Sequence, residues 1–152
     1  SSRLSGFWPE AIEGWDWLNQ HTTGNTIAYV GRPVPYPLYG TRFKNDVRYV
    51  SVNAQEPAKL HLYPKSWYSW GFDFESQHAN MMRENNYRGN ADYTTWLENL
   101  RKAKADFLFI YSLHQTLHII FPIEEEWASA HPDVFKPEFS NDVVRIYSIR
   151  KP

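Results

Sequence analysis

The chain contains no cysteine. Disulfides, thiolate metal centres and cysteine nucleophiles are therefore excluded, while oxidising and reducing compartments both stay open. An excess of charge of one sign is missing too: 16 basic residues against 17 acidic ones leave a net charge of -1. That gives no long-range field for a phosphate polymer, so no nucleic-acid partner is expected. No long hydrophobic run is present. The longest uncharged stretch, Phe107 to Ile123, holds Ser112, His114, Gln115, Thr116, His118 and Pro122, and reads as a buried strand and a loop rather than a membrane span. Ser1 to Gly6 lacks the apolar core of a signal peptide. That start suits either a cytosolic protein or a chain that begins inside a longer polypeptide.

Aromatic residues are plentiful, at 17% of the chain with seven Trp and ten Tyr. Such a load fills a core and leaves aromatic surface for a partner. Leu, Ile, Val and Phe together number 35 of 152 residues, above the level of about a fifth below which disorder is the default. The length fits a single domain over residues 1–152.

Hydrophobic spacing divides the chain into elements. Trp8, Ala11, Ile12, Trp15 and Leu18 recur at steps of three and four, predicting a helix that starts near Pro9 and ends before Thr22, with Trp17 off the stripe. Thr26 to Val30 is a short apolar, β-branched strand stopped by Gly31, and Val47 to Val52 predicts a second strand. Between them, Pro33, Pro35 and Pro37 prevent regular helix. From about residue 53 to 90 periodicity is lost in an aromatic-rich excursion. Excursions of this length inside a compact domain are uncommon and tend to be functional or disordered. Tyr93, Trp96, Leu97, Leu100 and Ala103 form a helical stripe, with Asn90 or Asp92 as start signals.

Asp106 to Tyr111 reads as a strand covered on both faces. Pro122 opens a helix with Ile123, Trp127 and Ala130 as its buried stripe and Glu124, Glu125 and Glu126 serving the helix dipole. Val134 to Phe139 and Val143 to Ile149 predict an antiparallel hairpin. Strands alternating with helices predict an α/β three-layer sandwich: a mostly parallel central sheet, Rossmann-like, with an antiparallel C-terminal hairpin at its edge.

Motifs for catalysis are weak. His114 and His118 share helical spacing but lack the intervening glutamate of a zinc peptidase and a nearby third ligand, so no metal is expected. Residues 31 to 36 are Gly-Arg-Pro-Val-Pro-Tyr, which fails the G-x-G-x-x-G fingerprint, and prolines cannot donate to a phosphate. No P-loop lysine motif or G-x-S-x-G elbow occurs. No catalytic residue and no cofactor are assigned. The Gly31 to Asn45 loop is the most suggestive feature, because it leaves the carboxyl end of a central strand, where open α/β sheets bind ligands. Arg32, Tyr36, Tyr39 and Asn45 are its ligand-binding candidates, with a rigid proline turn packed on the sheet as the rival reading. Trp67, Tyr68, Trp70, Phe72 and Phe74 are candidates for an aromatic interface on lipid or on a neighbouring domain, or else core filler.

One series of segments resembles a known family. It comprises Gly24 to Gly31, Pro35-Tyr36-Pro37-Leu38-Tyr39-Gly40, Asn45 to Val50, Tyr93-x-x-Trp96-Leu97-x-Asn99-Leu100, Glu126-Trp127-Ala128-x-x-His131-Pro132-x-x-Phe135 and Val144-Arg145-Ile146-Tyr147. Together they are similar to the soluble C-terminal tail of bacterial multi-spanning membrane glycosyltransferases, the protein O-mannosyltransferase and aminoarabinose transferase group. The resemblance implies a non-catalytic extracytoplasmic accessory domain, at the periplasmic face of the inner membrane. Its partner would be the transmembrane part of the same polypeptide, which uses a polyprenyl-phosphate sugar and carries the catalytic acid. The tail would cap that active site or bind acceptor, contacting a glycan or a lipid-linked sugar. The alternative is a stand-alone carbohydrate or nucleotide-sugar binding module.

Overall fold

The computed structural model of the chain describes residues 9–31, 44–50, 52, 91–112 and 121–152. The elements, in chain order, are α1 (Pro9–His21), β1 (Thr26–Val30), β2 (Asp46–Arg48), α2 (Tyr93–Lys102), β3 (Phe107–Tyr111), α3 (Ile123–Ala130), β4 (Phe135–Ser140) and β5 (Val144–Ile149). The described strands form one sheet in the order β2-β1-β3-β5-β4. β1 pairs with β2 and β3 in parallel, while β5 runs antiparallel to both β3 and β4.

The fold is therefore α/β with a mixed sheet, which corrects the expected mostly parallel one. The cause lies in the hairpin. A connection as short as Asn141 to Val143 can only reverse the chain, and β5 then inserts between β3 and β4 instead of lying at the edge. Its reversed direction counts in two ladders, both longer than the parallel ones. β4 takes the edge, and its sequence suits one: Pro137 removes a ladder donor, Lys136 and Glu138 pair across the strand at 3.5 Å, and the register slips between Pro137 and Phe139. The C-terminal antiparallel hairpin itself is as the sequence predicts.

Alternation along the strands builds two cores. On one face α1 lays Ala11, Trp15 and Leu18 over Ile27, Tyr29, Phe109, Tyr111, Val144 and Ile146. Gly14 lets that helix close on β5, since a Cβ there would stand 2.7 Å from Val144 Cγ1. On the other face Trp96 and Leu100 of α2 and Ala128 of α3 cover Ala28, Val30, Leu108, Ile110, Tyr147 and Ile149. The Trp96 ring stacks on Phe135 at 5.3 Å and meets Trp127 at 5.2 Å, so α2, α3 and β4 share one aromatic cluster. Each large side chain so buried contributes about 1.5–3 kcal/mol.

Helix boundaries follow from local chemistry. Asp92 caps α2, its carboxylate accepting from the Thr95 N–H at 2.8 Å and the Thr95 hydroxyl at 2.7 Å. Those two bonds hold the Asp92 carboxyl below its ordinary value. α3 starts after Pro122, which offers no side-chain cap. Its buried side is Glu124 and Ala128, with Ile123 and Trp127 half-buried and Ala130 exposed, so the predicted stripe is rotated by about one residue. β2 is three residues long and takes in only Val47 and Arg48 of the strand expected over Val47 to Val52.

Candidate functional site

Every helix in the described fold runs back against the parallel strands, so each begins at the same edge of the sheet. α1 begins beside the β4–β5 turn, where the Asn141 amide donates to the Glu10 carbonyl at 2.5 Å. The N–H of Asp92, ahead of α2, donates to the carbonyl of Val52 at 2.8 Å. α3 begins beyond the end of β3. This carboxyl edge of β1 and β3 thus collects the positive ends of three helix dipoles. It is also a topological switch point: the chain leaves β1 toward β2 and leaves β3 toward the opposite side of the sheet. Open α/β sheets bind ligands in the crevice at such a point.

Two residues mark that edge. Gly31 turns out of β1 with φ of +112°, and a Cβ on it would lie 1.9 Å from the Tyr111 carbonyl oxygen, so only glycine fits. Ser112 ends β3. Its N–H donates to the Val143 carbonyl at 2.8 Å, while its hydroxyl is fully buried with no hydrogen-bond partner among the described residues.

Beside it, α3 is fastened to β5 by polar contacts. Tyr147 donates to Glu125 Oε1 at 2.5 Å, and Arg145 Nε pairs with Glu125 Oε2 at 3.1 Å. The Arg145 guanidinium also lies 4.4 Å over the Phe121 ring and donates to the carbonyls of Asn141 and Val144. Burial raises the Glu125 carboxyl above its ordinary range, with the Tyr147 and Arg145 contacts opposing it. Burial, then the bond and charge of Glu125, push the Tyr147 phenol well above the ordinary tyrosine value. Glu124 is fully buried. The three glutamates, alike in sequence, thus differ in setting: Glu124 is buried, Glu125 bridges Tyr147 and Arg145, and Glu126 is exposed.

Of the ligand-binding candidates, Asn45 falls within the described residues, and it lies at the far edge. It precedes β2, its Oδ1 accepts from the Asn25 N–H at 3.2 Å and its Nδ2 donates to Thr22 Oγ1 at 2.9 Å. It pins the α1–β1 turn to β2 at the edge opposite Gly31, so the fold separates the two ends of that loop. Arg32, Tyr36 and Tyr39, the interface candidates Trp67, Tyr68, Trp70, Phe72 and Phe74, and the pair His114 and His118 lie outside the described residues. Ser112 was missed in sequence because one serine closing an apolar strand carries no pattern. Its only signal was position, two strands converging on one edge.

No protein-family model matches the chain, and neither any curated protein nor any solved structure aligns with it significantly.

Proposed function

We propose that this chain is a ligand-binding accessory domain of a membrane glycosyltransferase, working outside the cytoplasm on the carboxyl edge of its sheet and leaving catalysis to the membrane part of the same polypeptide. The observation that carries the binding role is the switch-point edge, where the Gly31 turn, the buried Ser112 hydroxyl and three helix N-termini meet. The parent enzyme is proposed on the motif series from Gly24 to Tyr147. The Rossmann likeness is kept for the parallel part, β2-β1-β3, and its order supports a reading in which ligand sits between β1 and β3. In this reading the edge holds acceptor glycan or lipid-linked sugar, and Arg32, Tyr36 and Tyr39 belong to the loop that leaves it. The test is an immunoblot of membrane and soluble fractions of the native cells with an antibody to this domain. A membrane band well above 18.0 kDa is expected. A soluble band of that size would remove the transferase and leave the stand-alone carbohydrate-binding module in its place.

A further inference from the structure

The described sheet has two outer strands, and they are built differently. β4 carries Pro137 in place of a ladder donor, a register slip between Pro137 and Phe139 and the Lys136–Glu138 pair, devices that discourage a further strand. β2, Asp46-Val47-Arg48, ends the strand order on the other side and has neither proline nor bulge. β1 is its one strand neighbour among the described residues.

The phase of the β1–β2 ladder fixes what the outer side of β2 offers. The Asp46 N–H donates to the Asn25 carbonyl at 2.8 Å, and the parallel register sets Thr26, Ile27 and Ala28 beside Asp46, Val47 and Arg48. Successive residues of a strand turn their backbone groups to opposite sides, so Asp46 and Arg48 bond inward to β1 while the Val47 N–H and carbonyl point outward. The side chains alternate as well. Val47 is half-buried on the face of α1, whereas Asp46 and Arg48 share the other face, 49% and 56% exposed and paired at 2.7 Å.

These three residues are complementary to themselves. Laid antiparallel on a second copy and centred on Val47, the strand makes a hydrogen-bonded pair in which each Val47 N–H meets the Val47 carbonyl of the other copy. The same register sets each Asp46 opposite the Arg48 of the second copy on one face, and the two valines side by side on the other. An in-register parallel copy would instead oppose Asp46 with Asp46 and Arg48 with Arg48. Backbone phase, charge and apolar face thus select one geometry, a closed two-fold contact.

We propose that β2 is a self-association edge, through which two copies of this chain join their sheets antiparallel about Val47. The inference goes beyond the binding role proposed above and does not rest on it. Three residues from each copy make a small contact, so the dimer is weak and reversible. Its test is sedimentation equilibrium of the 152-residue chain from micromolar to millimolar concentration, with amide exchange read by NMR on the same samples. The mean mass is expected to rise from 18.0 kDa toward twice that value, and the Val47 amide to exchange more slowly as it does. Asp46→Lys and Arg48→Glu, each at an exposed side chain, should each weaken association about tenfold or more, because each variant sets two pairs of like charges face to face. Mixed in equal amounts, the two variants should associate again, since every opposed pair between them then carries opposite signs. A mass of 18.0 kDa at every concentration, association that either variant leaves unchanged, a mixture no tighter than its components, or a Val47 amide indifferent to concentration would each overturn the proposal.

Discussion

Gly31 shows how much of this fold hangs on one missing Cβ. With φ of +112° and the Tyr111 carbonyl where a side chain would start, Gly31→Ala must both strain its own backbone and push β3 away. A loss of about 3 kcal/mol or more is expected in urea unfolding. Lys104 is the opposite case: it takes φ of 55° in the turn from α2 to β3, a conformation that costs a residue with a Cβ. Lys104→Gly should therefore gain about 0.5–1 kcal/mol in the same measurement. The two substitutions change stability in opposite directions for one stereochemical reason. Gly31 was visible in the sequence as the residue that stops a strand. Lys104 was not, because nothing in a lysine announces a left-handed turn.

Among the elements, those with a strong internal period were legible. α1, β1 and β3 lie within a residue of where their apolar spacing puts them, and of the two start signals, Asn90 and Asp92, Asp92 is the cap of α2. What spacing could not convey is the neighbour across the ladder. A continuous apolar strand such as β3 looks the same beside a parallel or an antiparallel partner, so the insertion of β5 and the mixed sheet were hidden. The rotation of α3 was hidden for a related reason: Glu124, Glu125 and Glu126 read alike as acids serving the helix dipole, until β5 supplied Tyr147 and Arg145 to Glu125. That docking yields a prediction. Tyr147→Phe removes the donor from a largely buried carboxylate and should cost about 1–3 kcal/mol, measured by thermal or denaturant unfolding. In the aromatic cluster, Trp96→Ala empties the space between Phe135 and Trp127 and should cost about 3–5 kcal/mol.

At the scale of the whole molecule, two carboxylates set opposite slopes of stability against pH. Asp106 is held below its ordinary value: burial opposes this, but the Thr26 N–H at 3.0 Å, Lys151 at 3.0 Å and Asn25 at 3.4 Å outweigh it. Its contribution is complete above the ordinary aspartate value of 3.8 and is lost as pH falls through its lowered one. Glu125, raised by burial, binds its proton more tightly folded than unfolded. Its contribution is complete below the ordinary value of 4.5 and is lost as pH rises through the raised one. Melting temperature followed from about pH 2 to pH 8 should fall less steeply on the acid side in Asp106→Asn, where Asp92 still contributes, and flatten above the ordinary glutamate value in Glu125→Gln. Asp106 also marks the edge where the chain leaves: its carbonyl accepts from the Ile149 N–H and its carboxylate holds Lys151. Pro9, by contrast, lies at the edge of Gly31 and Ser112, fastened there through Glu10 and Asn141. The described fold therefore has a direction: α1 starts at the edge of Gly31 and Ser112, and β5 ends at the opposite edge. A reporter fused behind Pro152 should leave the edge of Gly31 and Ser112 open, and one placed directly ahead of α1 should crowd it.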